Sequence, residues 1–232
     1  MKLVSGGCSF SADHFCWPVH TADLLNFEHY QTGVGSAGND LISRRVLDQL
    51  LEFDNYDDVV VGVMWSASTR KSFYTRNPTA LERHKPHHSA TSPFKWKPDP
   101  WHWLLVNVGF NDRFADDWYK FYADEAHSII ETYEHVLRLQ WFLERHNIKY
   151  FFTTYNSHVF SIDSDDKTAV ADKLHNQINW SKFLPIEGCT EWCQQNCGDL
   201  FPDPNDGHPG EQQHKMFAQQ VVIPCIQEIL NG

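Results

Sequence analysis

Two residues far apart in this sequence have types and settings suited to acyl chemistry. Ser9 stands in the string Gly6, Gly7, Cys8, Ser9, Phe10, Ser11, directly after a short apolar start at residues 2–7. An apolar run that ends in glycines reads as a strand entering a turn, which puts the serine at the carboxyl edge of a sheet, where open α/β sheets hold their ligands. Near the other end, Asp203, Pro204, Asn205, Asp206, Gly207, His208 and Pro209 form a polar loop ahead of the last helical pattern. A histidine beside acids in a loop can serve as a general base held in one tautomer by a carboxylate. Each string also has an ordinary reading, as a helix cap or turn for Ser9 and as a turn into a helix for residues 203–209. Taken together they supply a nucleophile and a base.

The elements that would position this pair follow from periodicity. Residues 17–27 and 40–53 carry helical apolar spacing, with a glycine-rich loop at 30–38 between them. Residues 58–65 (DVVVGVMW) are almost continuously apolar and rich in valine, as in a strand buried on both faces of a parallel sheet. A long amphipathic helix is predicted over 126–146, a strand over 149–155, a helix carrying Cys189, Cys193 and Cys197, and one closing helix over 212–230. Residues 67–115 break this rhythm with prolines, His84, His87 and His88, and Trp96, Trp101 and Trp103, and read as an insertion of the kind that covers or shapes a site. Strands alternating with helices predict a single-domain α/β protein over 1–232, a three-layer α/β/α sandwich around a mainly parallel sheet.

Composition narrows the function classes. The 232 residues hold 19 Lys and Arg against 30 Asp and Glu, a net charge of -11, so a phosphate backbone is repelled and nucleic acid is not expected as a partner. No apolar run is long enough for a membrane span, and the apolar start is too short for a signal peptide, so a cytoplasmic location is expected. The six cysteines read as free thiols, because a chain of this size needs no disulfide staples. Neither the cysteines nor His84, His87 and His88 come with paired metal ligands, so no metal or other cofactor is expected. Aromatic residues make up 14% of the chain; Trp96, Trp101 and Trp103 suit stacking on a sugar as well as packing.

Four blocks in chain order resemble the SGNH, or GDSL-like, serine hydrolases. Gly7, Cys8 and Ser9 are similar to the family's first block with cysteine in its middle, a variant associated with phage-encoded members. The segment Gly33, Val34, Gly35, Ser36, Ala37, Gly38, Asn39 resembles its second block, and His208 with Pro209 its last. The resemblance implies that Ser9 is a nucleophile and His208 its base. It further implies Asp206, or Asp203, as the orienting acid, since Asn205 occupies the usual aspartate position. Oxyanion donors would be the backbone N–H groups of Ser9 and Gly35, with Gly38 as alternative. The third block departs from the family: Ser66 follows the valine-rich strand where an asparagine is usual and is the expected substitute oxyanion donor, with Asn111, from a literal Gly-x-Asn-Asp match further on, as its alternative. Asn39, Trp65 and Arg70 are the expected substrate contacts, Arg70 for an anionic group. The implied substrate is a small acyl ester or acylated carbohydrate, with acyl transfer or a non-catalytic binding module as the rival outcomes.

Overall fold

The computed structural model describes residues 1–75, 77, 102–107, 113–161, 168–198 and 207–232, with His102 and Trp103 described in backbone only. Its central sheet is wholly parallel, in the order β2-β1-β3-β6, formed by β1 (Lys2–Gly6), β2 (Glu28–Gln31), β3 (Val59–Trp65) and β6 (Lys149–Thr154). Register pairs Val4 with Val61 and Gly6 with Val63 across β1 and β3, and Gly62 with Phe151 across β3 and β6. Helices α1 (Ser9–Ala12), α2 (Trp17–Leu25) and α3 (Asn39–Leu50) connect the first strands. β4 (Lys71–Thr75) and β5 (His102–Val106) pair as a separate antiparallel ribbon, followed by α4 (Arg113–Phe121) and the long α5 (Glu125–Arg145). After β6 come α6 (Ala169–His175), α7 (Cys189–Asn196), α8 (Glu211–Phe217) and α9 (Ile223–Asn231).

The valine-rich string is fully buried along β3 because both of its faces are covered. Val59, Val61, Val63 and Trp65 join Tyr150 and Phe152 in a core with α3 and α5 residues such as Val46 and Leu137. Val60 and Met64 point the other way, into a second core with Phe151, Trp17, Cys189, Cys193 and Phe217. The alternation makes three layers, with the α/β/α arrangement expected from the pattern. Gly62 faces the second core, where an added Cβ would lie 2.5 Å from Phe151 Cζ and 3.1 Å from Trp17 Cη2. Since both rings are closed in by neighbours, Gly62→Ala is expected to destabilise the fold by about 1–3 kcal/mol through overpacking. An unchanged urea midpoint would show that the rings yield freely.

Several boundaries differ from the periodicity. β2 takes the first two residues of the loop expected over 30–38; its four residues (EHYQ) carry no apolar pattern because they lie at the edge of the sheet, where none is required. The ends of the irregular stretch at 67–115 carry the β4–β5 ribbon. The closing helix is divided by a π-helical turn at Ala218–Val222 ahead of α9, whose second residue is Pro224. Proline removes an N–H donor and crowds the preceding turn, and a π turn absorbs that strain. No described helix is long and apolar enough to cross a membrane.

Candidate active site

β1 ends at Gly6, and the chain turns through Gly7 so that Ser9 opens α1. Gly7 has φ +155°, and a Cβ there would stand 2.5 Å from Ser11 Oγ and 3.1 Å from the Met64 carbonyl oxygen, so the turn needs glycine. The short helix is held from several sides. Ser11 N–H donates to the Cys8 carbonyl (2.9 Å), Trp17 Nε1 to Ser11 Oγ (3.0 Å), and Gln31 Nε2 to the Ser11 carbonyl. Cys16 Sγ donates to the Ser9 carbonyl at 3.4 Å; burial pushes its thiol up to about 12, which keeps it a donor.

His208 comes from the segment leading into α8, 199 residues away in the chain, and its Nε2 lies 2.8 Å from Ser9 Oγ. Its ring lies against Phe10, with centroids 4.9 Å apart. Phe10 in turn meets the edge of Tyr155 (5.4 Å), which directly follows β6. Beneath His208, His214 is 1% exposed on α8, and burial holds its imidazole down to about 3. Phe10, Tyr155 and His214 carried no motif in the sequence; only the position of Tyr155 just past a strand end marked it as a residue of this edge.

The second glycine-bearing segment runs beside the serine turn, with Thr32 N–H donating to the Ser5 carbonyl (2.8 Å) and Val34 N–H to the Gly7 carbonyl (3.0 Å). Gly35 lies in the turn closed by Ala37 N–H donating to the Val34 carbonyl, with Ser36 at φ 63°. Gly38 caps α3 and its N–H donates to Ser72 Oγ (3.3 Å), which commits the alternative oxyanion donor to the scaffold.

Three expected contacts are corrected. Trp65 is 0% exposed, with its ring against Phe152 (5.4 Å), because its place in the strand alternation turns it into the α3–α5 core. Asn39 is 2% exposed and clamps the strand end: its Nδ2 donates to the Ser66 carbonyl (2.9 Å) and Thr132 Oγ1 (3.2 Å), and its Oδ1 accepts from Ser66 N–H (2.8 Å). Ser66, itself fully buried, accepts from Arg70 Nη1 at 2.9 Å and offers no open hydroxyl. Losing the clamp strands buried backbone groups, so Asn39→Ala is expected to cost about 3 kcal/mol. A loss below about 0.5 kcal/mol in denaturant unfolding, the level of an ordinary surface substitution, would contradict that role.

Arg70 follows the end of β3, and its guanidinium carbon stands 5.5 Å from the centre of the Tyr155 ring. The expected acid Asp206, its alternative Asp203 and the alternative donor Asn111, together with His84, His87, His88, Trp96, Trp101 and the Trp103 side chain, lie outside the described residues. All six cysteines are free, Cys189 and Cys193 wholly buried on α7. Among the described residues no group of three or more His, Cys, Asp or Glu side chains is gathered to hold a metal.

The fold is shared with solved structures of an esterase and of a member of the lipolytic G-D-S-L family. The psychrotrophic esterase EstA from Pseudoalteromonas sp. superposes with a TM-score of 0.54 at 9% identity, covering 100% of this chain and 99% of that one. A member of the lipolytic protein G-D-S-L family from Veillonella parvula DSM 2008 gives 0.50 at 10% identity, covering 100% and 98%. At such identities the likeness is one of fold. By sequence the chain belongs to a family of unknown function, DUF6071, whose model matches residues 5–231. No curated protein matches it.

Proposed function

We propose that this protein is a serine esterase or deacylase that acts on a small acyl ester or acylated carbohydrate through an acyl-enzyme. The observation that carries the reading is the 2.8 Å approach of Ser9 Oγ and His208 Nε2 at the carboxyl edge of the sheet. A hydroxyl paired with an imidazole is the arrangement an activated nucleophile requires. That the Pseudoalteromonas protein of the same fold is an esterase is in keeping with it.

In this mechanism His208 takes the hydroxyl proton as Ser9 Oγ attacks the ester carbonyl, and the tetrahedral oxyanion accepts from the backbone N–H groups of Ser9 and Gly35. Collapse breaks the bond to the alcohol, which leaves with the proton from His208. Water, deprotonated by the same imidazole, then attacks the acyl-serine; the acyl–Oγ bond breaks, the acid is released, and His208 returns the proton to Ser9 Oγ. Asp206, or Asp203, orients the imidazole in this proposal. Each oxyanion donor is worth about 3 kcal/mol, so a site with only two backbone donors is slower than one with a third. None of these steps calls for a metal or cofactor.

A fluorophosphonate probe tests the reading: the parent protein should be labelled at Ser9, and Ser9→Ala should not. Failure of the folded parent to react would instead point to a non-catalytic binding module on this fold.

A further inference from the structure

Arg70 is an unusual cation for its place. The chain carries a net charge of -11, with 30 acidic residues available to pair with. Yet among the described residues the side-chain contacts of Arg70 are to neutral groups: Nη1 donates to Ser66 Oγ (2.9 Å), and its guanidinium carbon stands 5.5 Å from the centre of the Tyr155 ring. No carboxylate among the described residues forms an ion pair with it. Two acids share a small cavity with it, Asp40 and Glu131, and both are committed elsewhere. Asp40 accepts from the N–H groups of Leu41 (2.7 Å) and Ser72 (3.0 Å), and Glu131 pairs with Lys71.

Its location gives this charge, without an acidic partner among the described residues, a use. Arg70 follows β3 as Ser9 follows β1, and the two strands are neighbours in the sheet. The Arg70 backbone is packed onto the start of α3, where a Cβ on Gly38 would lie 2.6 Å from the Arg70 carbonyl oxygen. On the other side, Tyr155 touches Phe10, and Phe10 touches His208, so a continuous row of rings joins the guanidinium to the candidate base. The hydroxyl of Ser66 and the face of Tyr155 hold the guanidinium plane from two directions. Five N–H donors are fixed on that plane and, among the described residues, one is engaged by Ser66, which leaves a fork able to meet a carboxylate through two parallel hydrogen bonds.

We propose that Arg70 selects the substrate: the ester bound at Ser9 carries a carboxylate, which the Arg70 fork, steadied by Ser66 and Tyr155, binds while the ester carbonyl lies at the serine. The inference rests on the esterase reading for its chemistry but not for its binding step.

The test uses two matched pairs of esters, mono-4-nitrophenyl glutarate against 4-nitrophenyl valerate, and 3-acetoxybenzoate against phenyl acetate. These place the charge on the acyl side and on the alcohol side respectively. The parent is expected to prefer the anionic member of at least one pair in kcat/KM. Arg70→Met should reduce that preference by about tenfold or more, mainly through KM, and Arg70→Lys should keep part of it. Equal losses on anionic and neutral esters would overturn the proposal, since they would make Arg70 a general support of the site. So would the absence of an anionic preference in both pairs. Binding of 3-acetoxybenzoate to Ser9→Ala, measured calorimetrically with and without Arg70→Met, separates this inference from the esterase reading. Arg70-dependent binding without turnover in the parent would retain the carboxylate site and reject the nucleophile. Turnover with no Arg70-dependent binding or preference would do the reverse.

Discussion

Ser9→Ala is expected to lower ester hydrolysis by at least about 10³-fold, His208→Ala by a similar factor, and the double variant by no more than either alone. The reason is that the two side chains act as one unit. Ser9 Oγ is a weak nucleophile until its proton moves to Nε2, 2.8 Å away, and His208 has nothing to deprotonate once the hydroxyl is gone. The remaining activity would come from the backbone donors near Gly35 and from substrate positioning. Steady-state kinetics on a short-chain 4-nitrophenyl ester, with folding checked by circular dichroism, decides the matter. Losses that multiply in the double variant would mean that serine and histidine contribute separately, and the nucleophile–base assignment would fall.

The stability of the fold is expected to drop steeply in mild acid. Burial holds three imidazoles below their ordinary 6.5: His214 and His135 at about 3 and His29 at about 4. His208 and His20 add repulsion at His214, and Arg138, Lys71 and Arg44 do so at His135. Protonation would also leave His214 Nδ1 and His135 Nε2 without a partner among the described residues. Between pH 6.5 and about 3 the unfolded chain binds protons that the folded chain refuses, so stability is present above 6.5 and is lost as the pH falls towards 3. Each such proton is worth up to about 1.4 kcal/mol per pH unit, or about 2 kcal/mol per histidine by pH 5. Three together approach the whole stability of an ordinary domain. Asp40 acts in the opposite sense, because burial raises its carboxyl and the folded state takes up that proton first, but it is one group against three. Urea unfolding at pH 7.5, 6 and 5 should show the decline, and His214→Gln should flatten it by up to one proton. A midpoint that stays constant over this range would refute the account.

The sequence by itself determined the layered α/β/α order and the principal elements. The almost continuously apolar, valine-rich run at 58–65 can be buried only with cover on both faces, and the 3.6-residue spacing at 126–146 supplies one cover, observed as α5. It also marked Ser9 and His208, because glycines before a serine and an acidic turn before a histidine are local signals of turns at element ends. Other features were decided by contacts between distant residues. Whether Trp65 faces substrate or core depends on the phase of the strand alternation relative to the sheet, and Ser66 and Asn39 were committed to each other by the approach of α3 to the end of β3. The polar edge strand β2 shows no apolar pattern because its pairing is made by backbone groups, which composition does not record. The same holds for the site: residues 199 apart reach 2.8 Å because Ser9 follows the carboxyl end of β1 and the segment ahead of α8 returns His208 to that edge, a property of the assembled fold that no single segment carries.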